Sequence, residues 1–326
     1  MTSHAIRAHE TGSPEVFKWE EVTVGNPGPG EIRIAHEAVG LNYIDIYHRT
    51  GLYPVGDPPF IVGLEGAGRI EAVGESVSDV AVGDHVAYAA PPMGAYAEVR
   101  LMPADRVVKI PSSISDETAA AMMLKGMTVE YLLRRTYEVK PGDTILFHAA
   151  AGGVGLIACQ WAKALGATVI GTVGSDEKAE LARAHGCDHP IVYTREDFVK
   201  RTREITDGVG VPVVYDSVGK DTFEQSLDCL APRGLMASFG QSSGSLAEFN
   251  PGALAAKGSL YLTRPSLMVY TASREDLVAS ANALFDVVAS GKVRIEIHTR
   301  YALKDAAQAH RDLADRKTTG STVLLP

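Results

Sequence analysis

As far as residue 124 the chain alternates polar and apolar positions in short runs. Glu31–Leu41 (EIRIAHEAVGL) and His85–Ala90 (HVAYAA) have the period of two that suits half-buried strands. Dense Gly and Pro clusters at 25–31, 53–59, 82–85 and 90–96 read as turns. Gly63, Gly66, Gly68 and Gly74 predict tightly bent strands, as in a small curled barrel. Over 113–135 the period becomes helical, with Ser115 as N-cap and Gly126 as a break.

From Asp143 apolar runs alternate with amphipathic ones. Strand-like DTILFHA precedes an Ala/Leu-rich helix at about 153–165; ATVIGTV and a helix over DEKAELARAHG follow. The alternation continues through IVY (191–193), a helix over 196–206, PVVYDSV (212–218), a helix near 221–230, GLMASFG (234–240) and GSLYLTR (258–264). Apolar strands separated by helices predict an α/β fold with a doubly wound parallel sheet. The tail carries two helical segments, 274–290 and 304–315, and a last strand STVLLP. These shifts predict two domains: 1–124 with 267–326, and 125–266.

Composition narrows the class. A 45% hydrophobic and 22% charged chain has the make-up of a soluble globular protein with ample core. A net charge of −9 argues against a broad phosphate-binding surface, and so against nucleic acid. Three scattered cysteines, Cys159, Cys187 and Cys229, read as reduced thiols. The first residues lack an apolar leader, and no run approaches the ~20 apolar residues of a membrane span. These features predict a cytoplasmic protein.

The candidate chemistry begins at 147–155, FHAAAGGVG. Read as Ala150-x-Gly152-x-x-Gly155, it is a one-residue variant of the dinucleotide fingerprint. Bare backbone at such a turn lets N–H groups at a helix start meet a pyrophosphate, and Gly155 lets that helix pack on its strand. Ala150 is tolerable if its φ stays negative, since left-handed geometry costs Ala roughly 1–2 kcal/mol. An NAD-specific site would place Asp or Glu at the end of the second strand; this chain has Val173 and Gly174. Ser175 can donate to a 2′-phosphate and Lys178 can neutralise it, while Asp176 and Glu177 are adverse charges expected to point away. The pattern favours NADPH.

The chain resembles quinone oxidoreductases (NADPH:quinone reductases) of the zeta-crystallin type, in the medium-chain dehydrogenase/reductase superfamily. The resemblance rests on GLNYIDIYHRTGLYP (40–54), LKGMTVEYLLRRTYEVKPGD (124–143), FHAAAGGVGLIACQWAKALGA (147–167), VVYDSVG (213–219) and KGSLYLTRPSL (257–267). It implies a Rossmann NADPH-binding domain beside a GroES-like partial barrel, with a quinone reduced in the interdomain cleft. Zinc alcohol dehydrogenases of this superfamily bind catalytic zinc through Cys, His and Cys. The matching places here hold Asn42, Leu64 and Lys125, and three cysteines cannot form a four-cysteine zinc lobe. Zinc-independent chemistry is therefore expected. Without a Lewis acid an alcohol is a poor hydride donor, whereas a quinone or activated enone needs mainly positioning.

The resemblance also implies site residues. Asn42, Thr128 and Tyr131 should border the nicotinamide and its ribose, and Ala151, Gly152, Gly153 and Val154 should cradle the pyrophosphate. Gly174, Ser175, Lys178, Tyr193 and Arg316 should gather at the 2′-phosphate. Ser217, Phe239, Gly240, Ser242 and Leu262, Thr263, Arg264 and Pro265 should line the nicotinamide half. Tyr47 and Tyr53 are the candidate acceptor contacts; Tyr53 could equally donate a proton in reduction of an enone or enoyl thioester. Relatives pair the strand matching 258–264 across a two-fold axis, which implies a homodimer. Zeta-crystallin relatives that bind AU-rich RNA or serve as lens protein keep a non-enzymatic alternative open.

Overall fold

The chain opens with an antiparallel pair, β1 (Thr2–Ala8) and β2 (Phe17–Thr23), followed by β3 (Glu31–Gly40), α1 (Tyr43–Thr50) and β4 (Glu65–Val73). Next come β5 (His85–Ala89), β6 (Val99–Pro103), β7 (Val108–Lys109) and α2 (Asp116–Tyr131). This computed structural model describes residues 1–246 and 248–326 and divides into two units. The first holds Met1–Met127, Thr271–Ala289 and Ile295–Pro326; the second holds Thr128–Tyr270 and Ser290–Arg294.

In the first unit β3 and β4 run antiparallel with two register shifts, and glycines permit the close crossing. A Cβ on Gly68 would lie 1.9 Å from the Ala35 carbonyl oxygen. Ile32, Ile34, Ile70, Val86, Tyr88 and Met102 fill the core of this unit. Burial of each such side chain stabilises by about 1.5–3 kcal/mol. Ser115 accepts from the Thr118 N–H at 3.1 Å, as expected of an N-cap. Gly126 differs from expectation: α2 runs through it unbroken. The residue is small because a Cβ there would come 2.4 Å from Leu284, so it serves packing and not termination.

The second unit contains β8 (Thr144–Phe147), α3 (Gly153–Ala164), β9 (Thr168–Val173), α4 (Asp176–Ala184), β10 (His189–Val192) and α5 (Phe198–Ile205). It continues with β11 (Val211–Asp216), α6 (Phe223–Cys229), β12 (Leu230–Ser238), α7 (Gly252–Ala256), β13 (Tyr261–Thr263) and α8 (Leu267–Tyr270). The six strands are parallel in the order β10-β9-β8-β11-β12-β13. Counted from β8 this is the doubly wound order of a dinucleotide-binding sheet. Its strands β8, β9 and β11 are buried nearly throughout, as the middle of a sheet covered on both faces requires. β13 is shorter than the run 258–264 suggests. Gly258 and Ser259 have φ of 113° and 57°, outside strand geometry, and Pro265 has no N–H to donate.

The tail adds α9 (Arg274–Ala289), β14 (Ile297–Ala302), α10 (Ala306–Ala314) and β15 (Ser321–Leu325). β15 pairs with β3, joining the tail to the first sheet. No helix among the described residues is long and apolar enough to cross a membrane.

A polar chain is buried in the first unit. The Arg49 guanidinium meets His310 Nδ1 at 3.1 Å, His310 Nε2 meets the Tyr96 hydroxyl at 2.9 Å, and Tyr96 donates to Asp45 Oδ2 at 3.1 Å. Because guanidinium only donates, His310 carries its proton on Nε2, and every bond then has a fixed direction. Asp45 Oδ2 also accepts from the Asn42 N–H at 2.9 Å, but Oδ1 has no partner among the described residues. Burial pushes Asp45 up to about 7, with Glu65 adding to the shift and Lys125 opposing it. A carboxyl raised in the folded state contributes stability that is complete below its unfolded value and lost as pH climbs through about 7. Buried neutral His36 and His310 act in the opposite sense, so the comparison with a variant is the clean measure. Urea melts should show Asp45→Asn gaining stability over the parent from about pH 4 to 7, at up to ~1.4 kcal/mol per pH unit, and levelling off above that. Parallel profiles for the two proteins would contradict this.

Candidate functional site

The fingerprint turn joins β8 to α3. The Ala150 N–H bonds the Thr172 carbonyl of β9 at 3.0 Å, and the Gly152 N–H returns to Ala149 O at 2.9 Å. Ala150 stays out of the left-handed region, as expected; Ala149, which the fingerprint does not single out, adopts it with φ of 55°. A Cβ on Gly155 would lie 2.3 Å from Ala149 O and 2.6 Å from Ala150 O, so only glycine admits this approach of helix to turn. Gly152 caps α3 without a side chain, leaving the N–H groups of Gly153 and Val154 for an outside acceptor. This donor set fits a pyrophosphate. Beneath the turn, buried His148 bridges Thr172 and Ser226, each at 2.8 Å, and burial keeps it neutral. Sequence reasoning passed over His148, whose position between the strand and the small-residue run was its one signal.

At the end of β9 the structure gathers Gly174, Ser175, Lys178 and Tyr193. A Cβ on Gly174 would lie 3.1 Å from the Tyr193 hydroxyl, and the Tyr193 N–H bonds Val173 O at 3.1 Å. Ser175 is the N-cap of α4, accepting from the Lys178 N–H. Its side-chain hydrogen bond to Glu177 holds that carboxyl below the usual range, so the hydroxyl pictured as a phosphate donor already has a carboxylate beside it. Asp176 does not simply point away. Arg195 grips it with two bonds, at 2.6 and 2.5 Å, and meets its charge. Arg195 was not among the expected residues; a cation two positions after Tyr193 was the available signal. Arg316 belongs to the first unit, where its charge, with that of Arg49, partly offsets the burial that raises the Tyr43 hydroxyl.

A second loop cluster forms at the ends of β11 and β12. The Asp216 carboxylate accepts from the N–H groups of Val218 and Gly219 at 2.7 and 3.2 Å and from the Thr222 hydroxyl at 2.9 Å. The knotted loop offers Ser217 O to the Ser242 N–H at 3.1 Å, and a Cβ on Gly240 would press within 2.6 Å of that oxygen. Arg264 clamps the carbonyls of Ser238 and Gly240 at 2.9 and 2.7 Å. Phe239 packs on Phe147, with ring centres 5.7 Å apart. Tyr131 stacks on Tyr270 at 4.5 Å, and its hydroxyl, raised by burial, hydrogen-bonds Thr128. Leu262 and Thr263 lie on β13, with Arg264 and Pro265 directly after it.

In the first unit Tyr47 and Tyr53 pack together, ring centres 5.1 Å apart, with the Tyr53 N–H bonded to Tyr47 O at 3.1 Å. Tyr47 is buried and Tyr53 half-buried. Asn42 and Lys125, two of the positions matched to zinc ligands, both bond the carboxylate of Glu65, and Leu64 is buried beside it. Among the described residues no group of three or more His, Cys, Asp or Glu could hold a metal ion.

Residues 28–112 match the alcohol dehydrogenase GroES-like domain, and residues 153–281 match the zinc-binding dehydrogenase family. The quinone oxidoreductase of Pseudomonas aeruginosa is 56% identical over 315 residues, covering 97% of each chain. The 2-haloacrylate reductase of a Burkholderia species is 48% identical over 324 residues, covering 98% of this chain and 97% of that one. The crystal structure of Escherichia coli quinone oxidoreductase complexed with NADPH superposes with a TM-score of 0.98 at 51% identity, covering 100% of both chains. With 51–56% identity to quinone oxidoreductases over nearly its whole length, the chain belongs to the quinone oxidoreductase family of the medium-chain dehydrogenase/reductase superfamily.

Proposed function

We propose that the protein is an NADPH-dependent oxidoreductase that reduces quinones without a metal, in the cytoplasm. The observation that carries the cofactor reading is the pairing of a bare helix start at Gly152–Gly155 with a second strand that ends in Val173 and Gly174 instead of a carboxylate. Bound NADPH supplies a hydride from its nicotinamide to the acceptor. The backbone of Ala151–Val154 binds the pyrophosphate. Lys178, Tyr193 and Arg316 bind the 2′-phosphate with Gly174 and Ser175, and Arg195 keeps Asp176 from repelling it. Asn42, Thr128, Tyr131, Ser217, Phe239, Gly240, Ser242 and the segment 262–265 border the nicotinamide half.

Tyr47 and Tyr53 orient the acceptor by packing and hydrogen bonding. Asn42, Leu64 and Lys125 supply no zinc set, and the Lys125 ammonium beside Glu65 would repel a divalent cation. A second reading, reduction of an activated C=C bond with Tyr53 as proton donor, draws support from the 48%-identical relative named as a 2-haloacrylate reductase.

The third element is assembly. β13 is the edge of its sheet, and Tyr261 and Leu262 are 62% and 37% exposed. An uncovered apolar edge invites pairing with another chain, which supports a homodimer through 258–264.

Three measurements test this reading. NADPH should bind much more tightly than NADH, and Lys178→Ala should weaken NADPH binding by about 1–3 kcal/mol while leaving NADH nearly unchanged; equal affinities in the parent would refute the cofactor assignment. With a quinone, Tyr53→Phe should raise KM and leave kcat within about a few-fold. A fall in kcat of ~10²–10⁴ confined to an enone would favour the second reading. Light scattering at micromolar concentration should find particles of two chains, and single chains would exclude the dimer.

A further inference from the structure

Glu65 is fully buried, and the fold makes room for its carboxylate. Gly40, at the end of β3, could carry no Cβ, because that atom would lie 2.0 Å from Glu65 Oε2 and 2.4 Å from Ala120 O. Three donors converge on the carboxylate: Asn42 Nδ2 at 2.6 Å, Lys125 Nζ at 3.2 Å and the Leu124 N–H at 2.7 Å. Asn42 and Lys125 are themselves buried. Desolvating an ion pair costs several kcal/mol per charge, and apolar residues of similar volume are often at least as stabilising. Stability is therefore a weak reason for the trio, and direction is a better one.

A carboxylate paired with an ammonium only accepts hydrogen bonds. The Asn42 amide must then turn its NH2 toward Glu65, and its carbonyl oxygen faces the first turn of α1 in a capping box with Asp45. The backbone of the same residue is held as well, its N–H bonded to Asp45 Oδ2 at 2.9 Å. An amide is nearly symmetric in shape, so without such a partner it could present either end. A carbonyl oxygen has two acceptor positions, and the capping box uses one. The nicotinamide half of the cofactor carries donors that such an oxygen can accept from, the carboxamide NH2 and the ribose hydroxyls.

We infer that Glu65 and Lys125 are positioning residues, which lock the Asn42 amide with its oxygen presented to the nicotinamide ribose or carboxamide. This rests on Asn42 bordering the nicotinamide half. NADPH titration and melting curves of Asn42→Ala, Glu65→Gln and their combination test it, with adenosine 2′,5′-bisphosphate as a probe of the other half. Glu65→Gln should weaken NADPH binding about tenfold and leave the bisphosphate within about twofold. It should add no further loss in the Asn42→Ala background, as expected of residues acting through one contact. Glu65→Gln/Lys125→Met removes both buried charges; it should recover melting temperature but not NADPH affinity. Additive losses, equal loss of both ligands, or affinity that returns with stability would overturn the inference. If Asn42→Ala alone leaves NADPH binding unchanged, the placement of Asn42 fails and the inference falls with it.

Discussion

The approach of α3 to the turn before it leaves 2.3 Å between the Ala149 carbonyl and the place where a Gly155 side chain would begin. Much of the second unit follows from that contact. It requires glycine at 155, and the Ala149 whose carbonyl it meets sits in a left-handed conformation that costs an alanine roughly 1–2 kcal/mol. Just before the turn, buried His148 has both ring nitrogens hydrogen-bonded, to Thr172 and Ser226. What the arrangement yields is a helix start with undisturbed N–H groups at the centre of the sheet, beside the switch between β8 and β11 where such sheets bind nucleotides.

The first unit turns on a different constraint, the burial of two carboxylates around one asparagine. Glu65 has an ammonium at 3.2 Å and acts as a fixed acceptor. Asp45 takes its two described bonds from neutral donors, the Asn42 N–H and the Tyr96 hydroxyl, and burial raises it toward neutral pH. The two groups are equally buried, and of the two Glu65 is the one with an ammonium at ion-pair distance. Lys125 thus does more than fill the place matched to a metal ligand in zinc relatives: its ammonium lies 3.2 Å from the buried Glu65 carboxylate.

Much of this was legible from local pattern. Period-two and period-3.6 runs located β3, β5 and α2 and most of the strand–helix alternation of the second unit, because each element buries a face whose repeat is written in the chain; β1, β2 and α1 were not read. The fingerprint turn was legible because its requirement, bare backbone between an apolar strand and a helix, is local. Gly126 was misread for an instructive reason. A glycine in a helical run looks like a break, and only the arrival of Leu284 from a distant helix reveals it as a packing position. The strand at 258–264 was overextended because hydropathy does not register the positive φ of Gly258 and Ser259.

The sequence by itself determined the two kinds of unit, the phosphate-type turn and the absence of a carboxylate where the second strand ends, since each depends on residue type within a few neighbours. The tertiary structure decided which charges meet. The pairing of Asp176 with Arg195 joins residues on two successive strand–helix turns, and the meeting of Asn42, Glu65 and Lys125 joins three elements far apart in the chain. Electrostatic partners are chosen by distance and burial after folding, and neither quantity is carried by the order of residues.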